Sequence, residues 1–148
     1  MNLRFNVIGT PAPQGSKTRM PNGAMVEGSS ATGRLKHRTW RQAVALEAHH
    51  QRQLHETCFF GPCSVAVTFR FPMPASRPAS WKRRVASGEV IGWKSTKPDL
   101  DKLARALGDA LVEGGLVERD ECISQWLMNK IEVAPGEWTG ATITVSQL

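Results

Sequence analysis

Hydrophobic residues along this chain keep two different periods, and the switches between them mark the elements. Leu3, Phe5 and Val7 alternate with Arg4, Asn6 and Ile8, which predicts a strand over 3–8. Two prolines and two glycines between Gly9 and Gly15 end it, because neither continues a ladder. A Gly-, Ser- and Asn-rich loop then runs to about Gly33, with 24–27 as a possible short strand. From about Lys36 to His55 the period turns helical. Trp40, Val44 and then Leu54 recur near helical spacing, Ala43, Ala45, Leu46 and Ala48 fill in, and Arg38, Arg41 and Arg52 supply a polar side. Residues 64–71 alternate again, with Val65, Val67 and Phe69 on one side, until Pro72, Pro74 and Pro78 stop the strand. The stretch 73–96 reads as a long loop. Leu100, Leu103, Leu107 and Leu111 make the buried stripe of a helix over 99–113, and Gly114-Gly115 stops it. Two strands follow, over 123–133 with Ile123, Leu127, Ile131 and Val133 apolar, and over 137–145. Pro135-Gly136 between them suggests a hairpin. The expected fold is α+β: a single domain spanning 1–148, with a small mixed sheet packed on two helices.

Composition changes the picture through charge. The chain has 148 residues and a formal net charge of +6, with a sequence pI near 9.7. Residues 1–98 hold fifteen of the nineteen Lys and Arg against four Glu and no Asp, a formal +11. Residues 99–148 hold four basic and nine acidic residues, a formal −5, and seven of the thirteen carboxylates lie from Asp99 to Glu121. Charge segregated in this way fits an enzyme that holds cations and acts on a polyanion, nucleic acid before membrane. No apolar run approaches the length of a membrane span and the N-terminus does not read as a signal peptide, so a cytoplasmic protein is expected. Cys58, Cys63 and Cys122 show no paired C-x-x-C spacing, and reduced structural thiols are expected. His49 and His50 are adjacent and diverge on a helix, so they make no two-ligand face.

The acids sit where metal chemistry can use them. Asp99 falls at the N-cap of the second helix and Asp101 within its first turn. An N-cap side chain folds back over the helix start, so a D-x-D pair can converge there although the same spacing diverges in mid-helix. The positive end of the helix dipole favours both carboxylates. Asp120 follows just beyond the glycine turn, where the next strand opens. Each acid has a simpler reading: Asp99 as a cap, Asp101 as an i, i+4 partner of Arg105, Asp120 as a turn residue. Taken together, beneath a long basic loop, they read as a site for a hard cation such as Mg²⁺, which takes carboxylates, water and substrate phosphate as ligands. Lys102 and Arg105 can supply the cation that stabilises the transition state, and Asp109 reads as a helix-surface ion-pair partner. In the 73–96 loop Arg77, Lys82, Arg83, Arg84 and Lys94 are interleaved with Trp81 and Trp93. That composition suits phosphate gripping with base stacking, or else a solvated loop whose tryptophans tuck onto the core.

The run KPDLDKLARALGDAL followed by RDECI resembles the signature of the RusA-type Holliday junction resolvases. FNVIGTPAPQGSKTR is similar to the opening strand and basic turn of that family, and the HRTWRQAVALEA helix falls in the expected place. The resemblance implies a homodimeric endodeoxyribonuclease that makes paired nicks across a four-way junction with Mg²⁺ or Mn²⁺, in a bacterial or phage-infected cell. The family's metal-binding aspartates match Asp99, Asp101 and Asp120, and its helix lysine falls on Arg105. Two positions depart from the pattern. Lys102 stands where Asn often follows the second aspartate, and the acidic pair before the last strands appears as Arg119-Asp120 with Glu121 next. Lys102 can therefore replace Arg105 as the catalytic cation, and Glu121 can share or replace the role of Asp120. The residues expected to grip the DNA backbone are Lys17, Arg19, Lys82, Arg83, Arg84, Lys94 and Lys97. The alternatives are a non-catalytic basic DNA-binding protein and a metal nuclease acting on other branched DNA.

Overall fold

The computed structural model describes residues 1–14, 17–19, 25–27 and 31–148, and it describes side chains outside 17–19, 25–27 and 31. In chain order the elements are β1 (Asn2–Ile8), β2 (Lys17–Arg19), β3 (Met25–Glu27), α1 (Ala31–His55), β4 (Cys63–Pro72), α2 (Ala79–Ala86), α3 (Leu100–Glu113), a 3-10 turn (Asp120–Cys122), β5 (Ile123–Val133) and β6 (Gly140–Gln147). The α+β class with a mixed sheet holds.

The four long strands form one sheet in the order β1-β6-β4-β5. β6 runs antiparallel to both β1 and β4, whereas β4 and β5 are parallel. A parallel pair cannot be closed by a tight turn and needs a long crossover. That crossover, residues 73–122, carries both α2 and α3 together with every aspartate of the chain. α1 and α3 cover one sheet face. Trp40, Val44 and Ala48 of α1 and Leu103, Leu107 and Leu111 of α3 meet Leu3, Phe5, Val65, Val67, Phe69, Ile143 and Val145 in one core. Complete burial of each such leucine stabilises the fold by about 2 kcal/mol. β2 and β3 pair with each other in a separate two-stranded ribbon. Among the described residues, no helix is long and apolar enough to cross a membrane. The three cysteines are unpaired, with Cys63 and Cys122 buried. Burial pushes the Cys58 and Cys63 thiols up, so they stay neutral.

Five expectations are corrected. The hairpin over Pro135-Gly136 does not form, because β4 lies between β5 and β6. β4 is the most apolar strand and takes a central position. The six residues 134–139 then bridge two strand spacings, roughly 10 Å. α1 starts at Ala31 rather than near Lys36. Thr32, Arg34, Leu35 and Lys36 are exposed, so its first turn and a half carries no apolar signal. The first described buried residue of α1 is His37, and Leu54, placed in its apolar stripe by periodicity, is exposed. The 73–96 segment is not all loop, since Ala79–Ala86 is helical. α2 buries none of its residues, so no apolar period marked it. The available signal was Pro78 at the N-cap followed by good helix formers. In β5, Trp126 and Met128 face the helices, while Leu127 is 57% exposed on the other side.

Candidate metal and nucleic-acid site

One flank of α3 and the head of β5 border an open cleft of about 340 Å³. Asp101, Ala104, Arg105, Gly108 and Asp109 line it from α3, spaced so that they share one helix face. Asp120 lines it from the 3-10 turn, and Ile123, Trp126 and Met128 from β5. A bulge makes the last three converge. Between the pairs Cys63–Ile123 and Ser64–Gln125, β5 advances by one residue more than β4, leaving Ser124 as the extra residue. The phase of the strand flips there, and Ile123 joins Trp126 and Met128 on the cleft side.

Asp120 does sit in a turn, the 3-10 turn 120–122, but the simpler readings of Asp99 and Asp101 are not realised. Asp99 occupies the N-cap of α3 with extended dihedrals (φ −73°, ψ 143°), but its side chain makes no capping hydrogen bond. Among the described side chains, Asp101 makes no ion pair with Arg105, and Asp99, Asp101 and Asp120 are all exposed. Asp109 does pair, though with Arg41 of α1 at 3.9 Å rather than with Arg105. Glu121 lies 3.8 Å from Arg119 and does not line the cleft, so it is not placed to replace Asp120. Lys102 also lies outside the lining residues. Its carbonyl accepts the Gln14 amide at 3.3 Å.

Of the expected site residues, the cleft therefore brings together Asp101, Arg105 and Asp120, with Asp99 one residue ahead of α3. Among the described residues, no three His, Cys, Asp or Glu side chains stand close enough to enclose a cation by themselves. The donor set nevertheless fits a hard cation of the Mg²⁺ type. Such an ion keeps several waters and takes one or two protein carboxylates plus substrate phosphate, and the carboxylates here are exposed oxygens at a helix N-terminus. A soft-metal site would need the thiols, and two of the three are buried in the core.

The approach to Asp99 is zipped along the far end of β5. The Glu132 amide donates to the Gly92 carbonyl at 2.6 Å, Trp93 bridges Ile131, and the Lys94 amide donates to the Lys130 carbonyl at 3.1 Å. Glycine is required at 92, because a Cβ there would come within 2.5 Å of the Glu132 carbonyl oxygen. The Glu132 side chain, 3% exposed, accepts two hydrogen bonds from Arg77 at 3.1 and 3.2 Å and lies 4.0 Å from Lys94. Lys94 is turned inward, 11% exposed, over the Phe71 ring and hydrogen-bonded to Thr96. It braces the connection and is not placed to grip a phosphate, which corrects the expectation from sequence. Lys82 also donates inward, to the Ala75 carbonyl at 2.9 Å.

Arg83, Arg84 and Lys97 remain on the surface. The Arg84 guanidinium lies 5.7 Å from the centre of the half-buried Trp81 ring, whereas Trp93 stays 62% exposed on a pinned backbone. Lys17 and Arg19 lie in β2, and their side chains are outside the described residues.

With this arrangement in place, comparison with known proteins is decisive. The family described as Endodeoxyribonuclease RusA matches residues 10–146. The chain belongs to the RusA family. Its match covers the β1 turn, both packing helices, the cleft and the last strands, and identifies the chain as an endodeoxyribonuclease of the Holliday junction resolvase type. An uncharacterised Bacillus subtilis (strain 168) protein, YqaN, is 33% identical over 110 residues, which is 74% of this chain and 73% of that protein. Sequence reasoning missed the Arg77–Glu132 pair and the tether made by Lys130. The signal was there in the alternation of β5: Lys130 and Glu132 fall on the same side as Trp126 and Met128, where an apolar residue is the default.

Proposed function

We propose that this RusA-family chain is a divalent-metal-dependent enzyme that resolves four-way DNA junctions by paired symmetric cuts, acting as a homodimer. One observation carries the reading: Asp101, Arg105 and Asp120 line a single cleft at the head of the helix whose N-cap position Asp99 occupies with its carboxylate uncommitted to capping. Asp99, Asp101 and Asp120 would hold Mg²⁺, or Mn²⁺ in its place. The bound ion would supply the lowered water pKa and the charge neutralisation that phosphodiester hydrolysis needs. Arg105 faces the cleft and stabilises charge developing on the phosphate, a role for which Lys102 is less well placed. Arg83, Arg84 and Lys97, with Lys17 and Arg19 of β2, bind the DNA backbone, and Trp93 offers its ring to an unstacked base at the branch point. A two-fold dimer matches the two cuts that symmetric resolution of a junction requires. The setting for this work is the cytoplasm of a bacterial or phage-infected cell.

Metal exchange tests the proposal. Junction cleavage should proceed in Mg²⁺ or Mn²⁺ and stop in EDTA, with junction binding retained. Cleavage that continues undiminished in EDTA would refute the metal dependence.

A further inference from the structure

The turn that leads into Asp99 and, one residue inside α3, the cleft-lining Asp101 is held most closely by one residue of β5, Lys130. The Lys130 carbonyl accepts the Lys94 amide at 3.1 Å, and its ammonium donates to the Thr96 carbonyl at 2.6 Å and to the Pro98 carbonyl at 2.7 Å. Lys130 thereby engages residues 94, 96 and 98 in turn, and the next residue is Asp99. A second tether to the start of α3, from the Gln14 amide to the Lys102 carbonyl, is uncharged and longer at 3.3 Å. A half-buried ammonium is costly unless its donors are satisfied, and the two short charge-assisted hydrogen bonds meet that demand. The surrounding groups are accounted for: Glu132 answers Arg77 and Lys94, leaving the Lys130 ammonium committed to main-chain oxygens.

We propose that Lys130 is a positioning residue for the cleavage reaction. It holds the turn at 96–98 so that the two aspartates at the head of α3 are presented toward Asp120, and it does so without touching the substrate. The inference rests on the metal-dependent reading of the cleft. Its physical content is pre-organisation. The carboxylates are exposed and on a chain entry point, where fraying of the first helical turn would spread them. An anchor made through carbonyls restrains the backbone while leaving both carboxylates open to a ligand.

The test uses Lys130→Met, which keeps the apolar stem and removes the donors, and Lys130→Arg, which keeps a cation. In the metal-free protein, amide exchange over 103–106, the first hydrogen-bonded amides of α3, should quicken roughly tenfold in Lys130→Met while β4 and β6 exchange as in the wild type. Mn²⁺ affinity by calorimetry and the maximal cleavage rate should each fall roughly tenfold or more, with junction affinity in EDTA within about twofold. Lys130→Arg should recover part of each loss. Unchanged exchange over 103–106 in Lys130→Met overturns the proposal, and so does acceleration spread equally through β4 and β6, which would mark a general stabiliser. If Lys130→Met does not fold, Lys130→Arg decides in the same way. Local quickening over 103–106 with weakened Mn²⁺ binding supports the proposal, and wild-type behaviour in both overturns it. A wild-type protein that cuts no junction would fail the reading of the cleft, and the exchange comparison would still decide whether Lys130 anchors the helix start.

Discussion

Arg41 of α1 stands 3.9 Å from Asp109 and 2.7 Å from Glu113, so it answers two carboxylates of α3 from the neighbouring helix. Asp109 borders the same cleft as Asp101 and Asp120, but its charge is already compensated. Asp109→Asn should therefore lower cleavage by no more than about threefold, and the loss of a half-exposed ion pair should cost under about 1 kcal/mol. Asp101→Asn should lower cleavage by about a hundredfold or more, the scale of removing a group that acts on the reacting centre. Steady-state cleavage of both variants checks this, and equal losses would make Asp109 part of the reacting set.

The two candidate cations differ in where they stand. Arg105 lines the cleft and Lys102 does not. Arg105→Ala should reduce the maximal cleavage rate about a hundredfold with little change in junction affinity, while Lys102→Ala should reduce it less than about tenfold. A larger loss at Lys102 in single-turnover assays would reverse the assignment.

Glu132 is a buried carboxylate that holds Arg77 through two hydrogen bonds and faces the inward-turned Lys94. Glu132→Gln leaves Lys94 without its counter-charge, and removal of one partner from such a group costs roughly 3 kcal/mol. Urea unfolding should show that loss as a lower midpoint at unchanged slope. A loss below about 0.5 kcal/mol would mean that the pair adds little beyond what solvent already offers.

The exposed basic face of α2 should act through phosphate contacts. Replacing Lys82, Arg83 and Arg84 together by alanine should weaken junction binding and reduce the slope of log K against log salt. Loss of two contacts would lower it by about 1.8, since Lys82 already serves the Ala75 carbonyl. Trp93→Ala should weaken binding by about 1–3 kcal/mol without changing that slope. Identical salt dependence in the triple variant would remove α2 from the interface.

β1, β4 and α3 were legible because their apolar positions keep a regular period over buried faces. Of the four leucines that periodicity assigned to the core of α3, Leu103, Leu107 and Leu111 are fully buried and Leu100 is half-buried. The aspartates were legible for a different reason, as a compact run with specific spacing at a helix entry. Four features escaped because local pattern does not encode them. β4 enters between β5 and β6 through long-range pairing, which a Pro-Gly turn cannot reveal. α2 is a helix with no buried residue, so propensity and Pro78 were its whole signature. Lys94 looked like one more surface cation in a basic run, yet the bridge of Trp93 to Ile131 turns it toward Phe71 and Glu132. The bulge at Ser124 that gathers Ile123 with Trp126 depends likewise on the register between two strands and not on either alone.

The most direct test of the central claim is cleavage of an end-labelled synthetic four-way junction in Mg²⁺, run beside a linear duplex of the same sequence and the Asp101→Asn variant. The predicted result is a pair of symmetric nicks in the junction alone, absent from the variant although it still binds. Equal cutting of the duplex, or tight junction binding with no cutting by the wild type in Mg²⁺ or Mn²⁺, would contradict it.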